Sequence, residues 1–167
     1  MKKRILPVML LISPYIFVFI AKIDYSELPI QLPELFFILV FVVLIPNMVY
    51  AFVLDKHEEN SNVLLFWDMV LKLCNIPIYI MAFTLGFEIF FTPLGIIMAL
   101  LYAVLTYVLL LATSMYGVSG LLKARREKKI TKATAIVNII LHFLFCADVI
   151  SAVTMFCLVK AKEKNQT

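Results

Sequence analysis

Charge is scarce in this chain: Asp, Glu, Lys and Arg make up 16% of its 167 residues, against about 25% in a soluble domain. With so little polar cover, a composition that is 63% hydrophobic cannot be hidden inside a water-soluble particle of this size. A soluble enzyme and a disordered tail are excluded. Cysteine is also sparse. Cys74, Cys146 and Cys157 stand far apart in apolar stretches and form no Cys-x-x-Cys pair, so a disulfide scaffold, a zinc site and a redox motif are excluded as well. They are expected to be reduced packing residues. There is no glycine-rich phosphate loop, no His-Glu-x-x-His and no carboxylate cluster. Nucleotide and metal hydrolysis therefore have no support, and no cofactor or metal is expected. No polar loop exceeds about a dozen residues, which leaves no room for a soluble domain. Internal repeats, the usual mark of an inverted-repeat transporter, are missing too.

What is present is a succession of apolar runs. A span needs about 20 apolar residues, and five stretches qualify: 5–23, 35–54, 63–85, 94–122 and 133–159. The expected fold is all-α, a polytopic transmembrane helix bundle forming one integral membrane domain over 1–167. The first run begins after Lys2-Lys3-Arg4 and resembles a signal peptide. Phe19, two residues before a cut at Ala21, is too large for cleavage, and Pro7 and Pro14 lie inside the run. It is read as an uncleaved helix bent at Pro14. Orientation follows from the basic residues. With the N-terminus cytoplasmic and all five runs crossing, eleven of the fifteen Lys and Arg fall inside and four outside. Three of those four are Lys160, Lys162 and Lys164 of the tail, the weak point of the scheme. The protein is thus expected in the bacterial cytoplasmic membrane as a multi-pass protein. The loop Lys22–Glu34, which carries Asp24, Glu27 and Glu34 with Pro29 and Pro33, and the Phe-rich turn Gly86–Pro93 fall outside.

The net charge of +4 would suit nucleic acid in a soluble protein. Here the basic residues flank apolar runs. The loop Lys123-Ala124-Arg125-Arg126-Glu127-Lys128-Lys129 is read as a topology stop against anionic lipid headgroups, with an acidic cytoplasmic partner as the alternative.

Ionisable residues inside a span are costly, so each is a candidate for function. Asp68 and Lys72 share a helix face at i, i+4 and lie near the cytoplasmic end of the third run. They are read as an interfacial ion pair, Lys72 snorkelling outward and Trp67 anchoring beside it. Asn75 is a further polar residue in that run. On a continuous fifth helix Asn138, His142 and Cys146 form one stripe, each about 40° from the next. Asp148 adjoins it, about 80° from Asn138. Asn138, His142 and Asp148 form the candidate intramembrane polar site, either a proton or cation relay or a set of interhelical hydrogen bonds. Thr113, Gly117, Gly120 and Ala124 make a small-residue seam for helix packing, within the protein or between copies.

The string Gly117-Val118-Ser119-Gly120, with His142 on the next helix, resembles the serine–histidine arrangement of rhomboid intramembrane proteases. Depth opposes it. Ser119 lies about 6 Å from the basic loop and His142 about 20 Å, whereas a serine and its base need about 3 Å. The chain is read as a non-enzyme. Asn75-Ile-Pro-Ile-Tyr-Ile, Ser114-Met-Tyr-Gly117 and His142-Phe-Leu-Phe-Cys-Ala-Asp148, with the bias to Ile, Leu, Phe and Lys, give it another likeness. It resembles the small uncharacterised polytopic membrane proteins of low-GC Gram-positive bacteria, which implies no activity. The expected function is an accessory, interaction or immunity protein with a membrane-protein partner or a second copy. A small transporter or channel component is the alternative.

Overall fold

The computed structural model describes residues 5–20, 38–56, 60–93 and 95–164. Lys2-Lys3-Arg4, the loop Lys22–Glu34, positions 21–23 and 35–37 of the first two runs, and His57–Glu59 lie outside the described residues. Everything regular among the described residues is helical. Helix α1 spans Ile5–Ile20 and contains Pro14. A π-helical turn, Val40–Leu44, leads into α2, Ile45–Lys56. Then come α3, Ser61–Phe90, α4, Gly95–Arg126, α5, Lys132–Leu141, and α6, Ala147–Lys164. At 1.5 Å per residue α3 and α4 are about 45 and 48 Å long, against a hydrocarbon core of about 30 Å. Helix α3 and the stretch Ala103–Arg126 of α4 are long and apolar enough to cross a membrane.

Local chemistry sets the ends. Asn60 caps α3, its side chain accepting from the Asn62 amide, and Thr131 caps α5 through the Thr134 amide. The turn from α3 to α4 is so close that a Cβ on Gly95 would fall 1.8 Å from the Ile89 carbonyl oxygen, which leaves glycine alone there. The π turn precedes Pro46, which has no N–H to give. The Ile45 amide reaches back five residues to Val40, and the Asn47 side chain satisfies the Val43 carbonyl at 2.9 Å. Pro77 sits inside α3 and leaves the carbonyl four residues earlier without its donor. The Tyr15 hydroxyl of α1 donates to the next carbonyl, that of Cys74.

Helices α3 and α4 form a long antiparallel hairpin, and the other elements pack around it. Helix α1 runs alongside α3 in the same direction: Leu10 shares a core with Leu71, and Tyr15 meets Cys74. Helix α2 runs with α4 in the same way, Tyr116 donating to Asn47 at 2.7 Å and Ser119 to the Ala51 carbonyl at 2.7 Å.

The single helix expected over 133–159 is instead two. The chain breaks at 142–146, where Cys146 takes a left-handed backbone at φ 67°. Helix α6 then turns back on α5, with Ser151 donating to Asn138 at 2.7 Å. It descends α3 in reverse: Asp148 lies near Lys72, Phe156 packs on Phe66, and Glu163 accepts from Asn60 and Asn62 at the start of α3. Segment 132–164 therefore begins and ends at the same end of the bundle. It is a helical hairpin whose tip lies partway along α3, and not a helix running from one end to the other.

Candidate functional site

The tip of that hairpin carries charge into the bundle. Asp68 and Lys72 come from α3, one turn apart, with Lys72 Nζ 3.3 Å from Asp68 Oδ1. The hairpin brings His142, whose Nε2 lies 3.3 Å from Asp68 Oδ2, and Asp148, whose Oδ2 lies 3.8 Å from Lys72 Nζ. Asp68, Lys72 and His142 are 0% exposed and Asp148 1%. Asp68 and Lys72 do pair, but inside the bundle. Lys72 is the twelfth residue of α3, about 16 Å from its start, and its side chain points into the bundle instead of snorkelling out.

The seam on α4 makes this meeting sterically possible. Thr113, Gly117, Gly120 and Ala124 are all buried. A Cβ on Gly117 would lie 2.2 Å from His142 Nε2 and 2.8 Å from Asp68 Cγ. Gly120 admits Leu65 of α3 less closely, its added Cβ falling 3.0 Å from Leu65 Cδ2. The seam therefore serves packing within the chain. Ser114 of α4 fixes the hairpin tip by donating to the His142 carbonyl at 2.7 Å. Ser119 faces away, committed to the Ala51 carbonyl on α2, so no serine–histidine pair is formed by Ser119 and His142.

The predicted stripe is dispersed by the break. Asn138 donates to the Thr134 carbonyl at 2.8 Å and accepts from Ser151, which ties α5 to α6. His142 turns to Asp68. Cys146 is exposed, as is Cys157, and all three cysteines are free. Asn75 bonds the Leu71 carbonyl of its own helix at 2.8 Å. Only His142 and Asp148 of the expected trio reach the charged centre.

Electrostatically the cluster is incomplete. Two carboxylates, one ammonium and one neutral imidazole sum to a formal charge of −1. Both oxygens of Asp68, Lys72 Nζ, both ring nitrogens of His142 and Asp148 Oδ2 are buried without a hydrogen bond among the described residues; their contacts stay at ion-pair distance. The Tyr79 hydroxyl, within electrostatic reach of Asp68 and Asp148, is buried in the same state. Buried polar groups in this condition cost free energy unless something else satisfies them.

A second polar network closes the base of the hairpin, and the sequence offered little sign of it. Lys129, 6% exposed, donates to Asn60 at 2.9 Å and Ser61 at 3.2 Å, and pairs with Glu127 at 2.7 Å and Glu163 at 3.7 Å. Lys128 makes this turn with φ 57° while the Lys129 amide bonds back to the Ala124 carbonyl. Ser61 donates to Glu127 at 2.5 Å. Burial acts to raise the Glu127 carboxyl, but the bonds from Lys129 and Ser61 outweigh it and hold the group below its ordinary value. The signal that could have found it is Asn60-Ser61, a residue pair suited to a helix N-cap.

Residues 5–163 match a family of unknown function, DUF6652, and the chain belongs to that family. No curated protein and no solved structure matches it.

Proposed function

We propose that this DUF6652 chain is a non-enzymatic multi-pass protein of the bacterial cytoplasmic membrane, a small transporter or channel component built around the Asp68–Lys72–His142–Asp148 cluster. Its exposed surface supports the membrane placement. Phe83, Phe91 and Ile97 stand about 70% exposed while Asp68 and Lys72 are buried, an order that suits lipid as the solvent. The topology becomes four crossings by the first four runs, with α5 and α6 as a re-entrant hairpin, in place of five crossings. Both termini are then cytoplasmic. Of the fifteen Lys and Arg, only Lys22 falls outside, and the three tail lysines move to the side that basic residues favour. The basic residues of 123–129 lie at the same surface, facing anionic headgroups.

The observation that carries the transport reading is a non-helical hairpin tip at mid-bundle that delivers two ionisable side chains to two more on α3. Irregular backbone at membrane depth is tolerated where it is buried in protein or lines a cavity, and intramembrane charge marks ion and substrate paths. The test is ion flux into liposomes carrying the purified protein. Flux above that of empty vesicles, lost in Asp148→Asn, supports the reading.

One observation favours the accessory reading: the cluster is closed. A groove of about 290 Å³ between α3 and α6, lined by Phe66, Trp67, Phe156 and Lys160, does not include a cluster residue. The same holds for an apolar pocket of about 90 Å³ among α1, the π turn, α3 and α4. Folded protein without flux that co-purifies with a stoichiometric partner in mild detergent would decide for that reading.

A further inference from the structure

The charge and geometry of the cluster narrow what it can hold. Its groups come from every element around it: Asp68, Lys72 and Tyr79 from α3, His142 from the end of α5 and Asp148 from α6. Helix α4 adds Gly117, Ser114 and Thr113, none of which titrates in the physiological range. The formal charge of −1 is sealed from water, and an unpaired charge in such a place is far too costly to persist. One further positive charge is required. A metal ion is a poor candidate. The ammonium of Lys72 already stands between the carboxylates, 3.3 Å from one and 3.8 Å from the other. Among the described residues, moreover, no group of three His, Cys, Asp or Glu side chains converges as metal ligands. The remaining gap is the 3.3 Å between His142 Nε2 and Asp68 Oδ2, two atoms that can share a proton and lack any other hydrogen bond.

We infer that the cluster binds one exchangeable proton, held between the His142 imidazole and the Asp68 carboxylate, while Lys72 neutralises Asp148. This rests on the transport reading of the same residues and names its ion. The proton also joins the hairpin to the α3–α4 pair, because His142 and Asp68 belong to different parts of the bundle. Its release leaves the −1 charge unbalanced at that joint. Proton binding is thereby coupled to docking of the hairpin tip.

The test is an infrared titration of the full chain in lipid nanodiscs, following the carboxyl and imidazole bands, in sodium, potassium and choline buffers. The expected result is a one-proton step that is the same in all three buffers and lost in His142→Gln. That variant keeps a side chain able to hydrogen-bond but removes the titration, and Asp68→Asn serves as a second case. A step that moves with sodium concentration, or that survives unchanged in both variants, overturns the assignment. Liposome flux separates the two claims. A proton step in the wild type without any flux upholds the proton site and sinks the transport reading. Flux driven by a sodium gradient with no proton step upholds transport and sinks the proton site.

Discussion

Gly117→Ala is the sharpest single perturbation of this molecule. The added methyl would stand 2.2 Å from His142 Nε2, where ordinary contact begins at 3.4 Å, so the imidazole has to retreat by 1.2 Å or α4 has to move away. Overpacking of this kind costs about 1–3 kcal/mol. Losing an interhelical polar contact adds about 0.6 kcal/mol. Replacing glycine by alanine in a helix returns up to about 1 kcal/mol, but Gly120→Ala receives the same benefit. At Gly120 the methyl meets Leu65 Cδ2 and Cγ at 3.0 Å and Leu64 Cβ at 3.2 Å, a milder crowding that shifts of a few tenths of an ångström relieve. The difference between the two variants therefore measures the excess crowding at Gly117, against His142 and Asp68, at about 2 kcal/mol. Unfolding in mixed detergent micelles, followed by helical signal, measures it. The double variant Gly117→Ala/His142→Ala takes the imidazole out of the methyl's path and leaves the contact with Asp68 Cγ at 2.8 Å, so its loss should fall short of the sum of the singles. Gly117→Ala equal in stability to Gly120→Ala, or strictly additive losses in the double variant, would refute the close approach.

Four further outcomes follow from the same geometry. In a cysteine-free background, Lys162→Cys should resist an impermeant thiol reagent on intact cells while Ser26→Cys reacts; labelling at 162 would restore a fifth crossing. Because the Glu127 carboxyl is held below its ordinary 4.5, the stability it contributes is full above pH 4.5 and declines as pH falls through its lowered value. Glu127→Gln should flatten that part of the stability–pH curve, and an unchanged acid limb would count against the network at the base. Asp148→Asn should fold and keep the hairpin docked, whereas Lys72→Met, which leaves two carboxylates without their cation, should lose about 3–5 kcal/mol in the same unfolding assay. Equal stability of the two would mean that Lys72 does not compensate Asp148. Ser151→Ala, removing the bond to Asn138 within the hairpin, should cost only about 0.6 kcal/mol.

Much of the helical layout was legible because hydropathy and length are local properties. The run 63–85 became α3, Ser61–Phe90, and 94–122 became α4, Gly95–Arg126. The ionisable residues were conspicuous for the same reason, since Asp68, Lys72, His142 and Asp148 interrupt apolar stretches. Their meeting was not legible. Asp68 and His142 are far apart in the chain, and contact depends on α5 and α6 folding back, which no pattern announces. Between Lys132 and Lys164 there is neither glycine nor proline to stop a helix, and the left-handed residue at the break is a cysteine. Counting 100° per residue through that break gave the stripe of Asn138, His142 and Cys146 a phase that does not exist. Three tail lysines on the outer side were already the weak point of a fifth crossing.

The hairpin also bears on the order in which the chain can be made. Asp68 and Lys72 are synthesised early and neutralise each other one turn apart, so α3 can enter the bilayer as a nearly uncharged rod. Their partners His142 and Asp148 emerge from the ribosome later. If the segment had to cross, Lys160, Lys162 and Lys164 would all have to be exported against the membrane potential. In the proposed topology the segment enters and leaves at one face, and none of these lysines has to be carried through lipid. In the proposed re-entrant topology this later segment docks from one face and brings one further carboxylate, Asp148, to a pair that the earlier helices had already balanced.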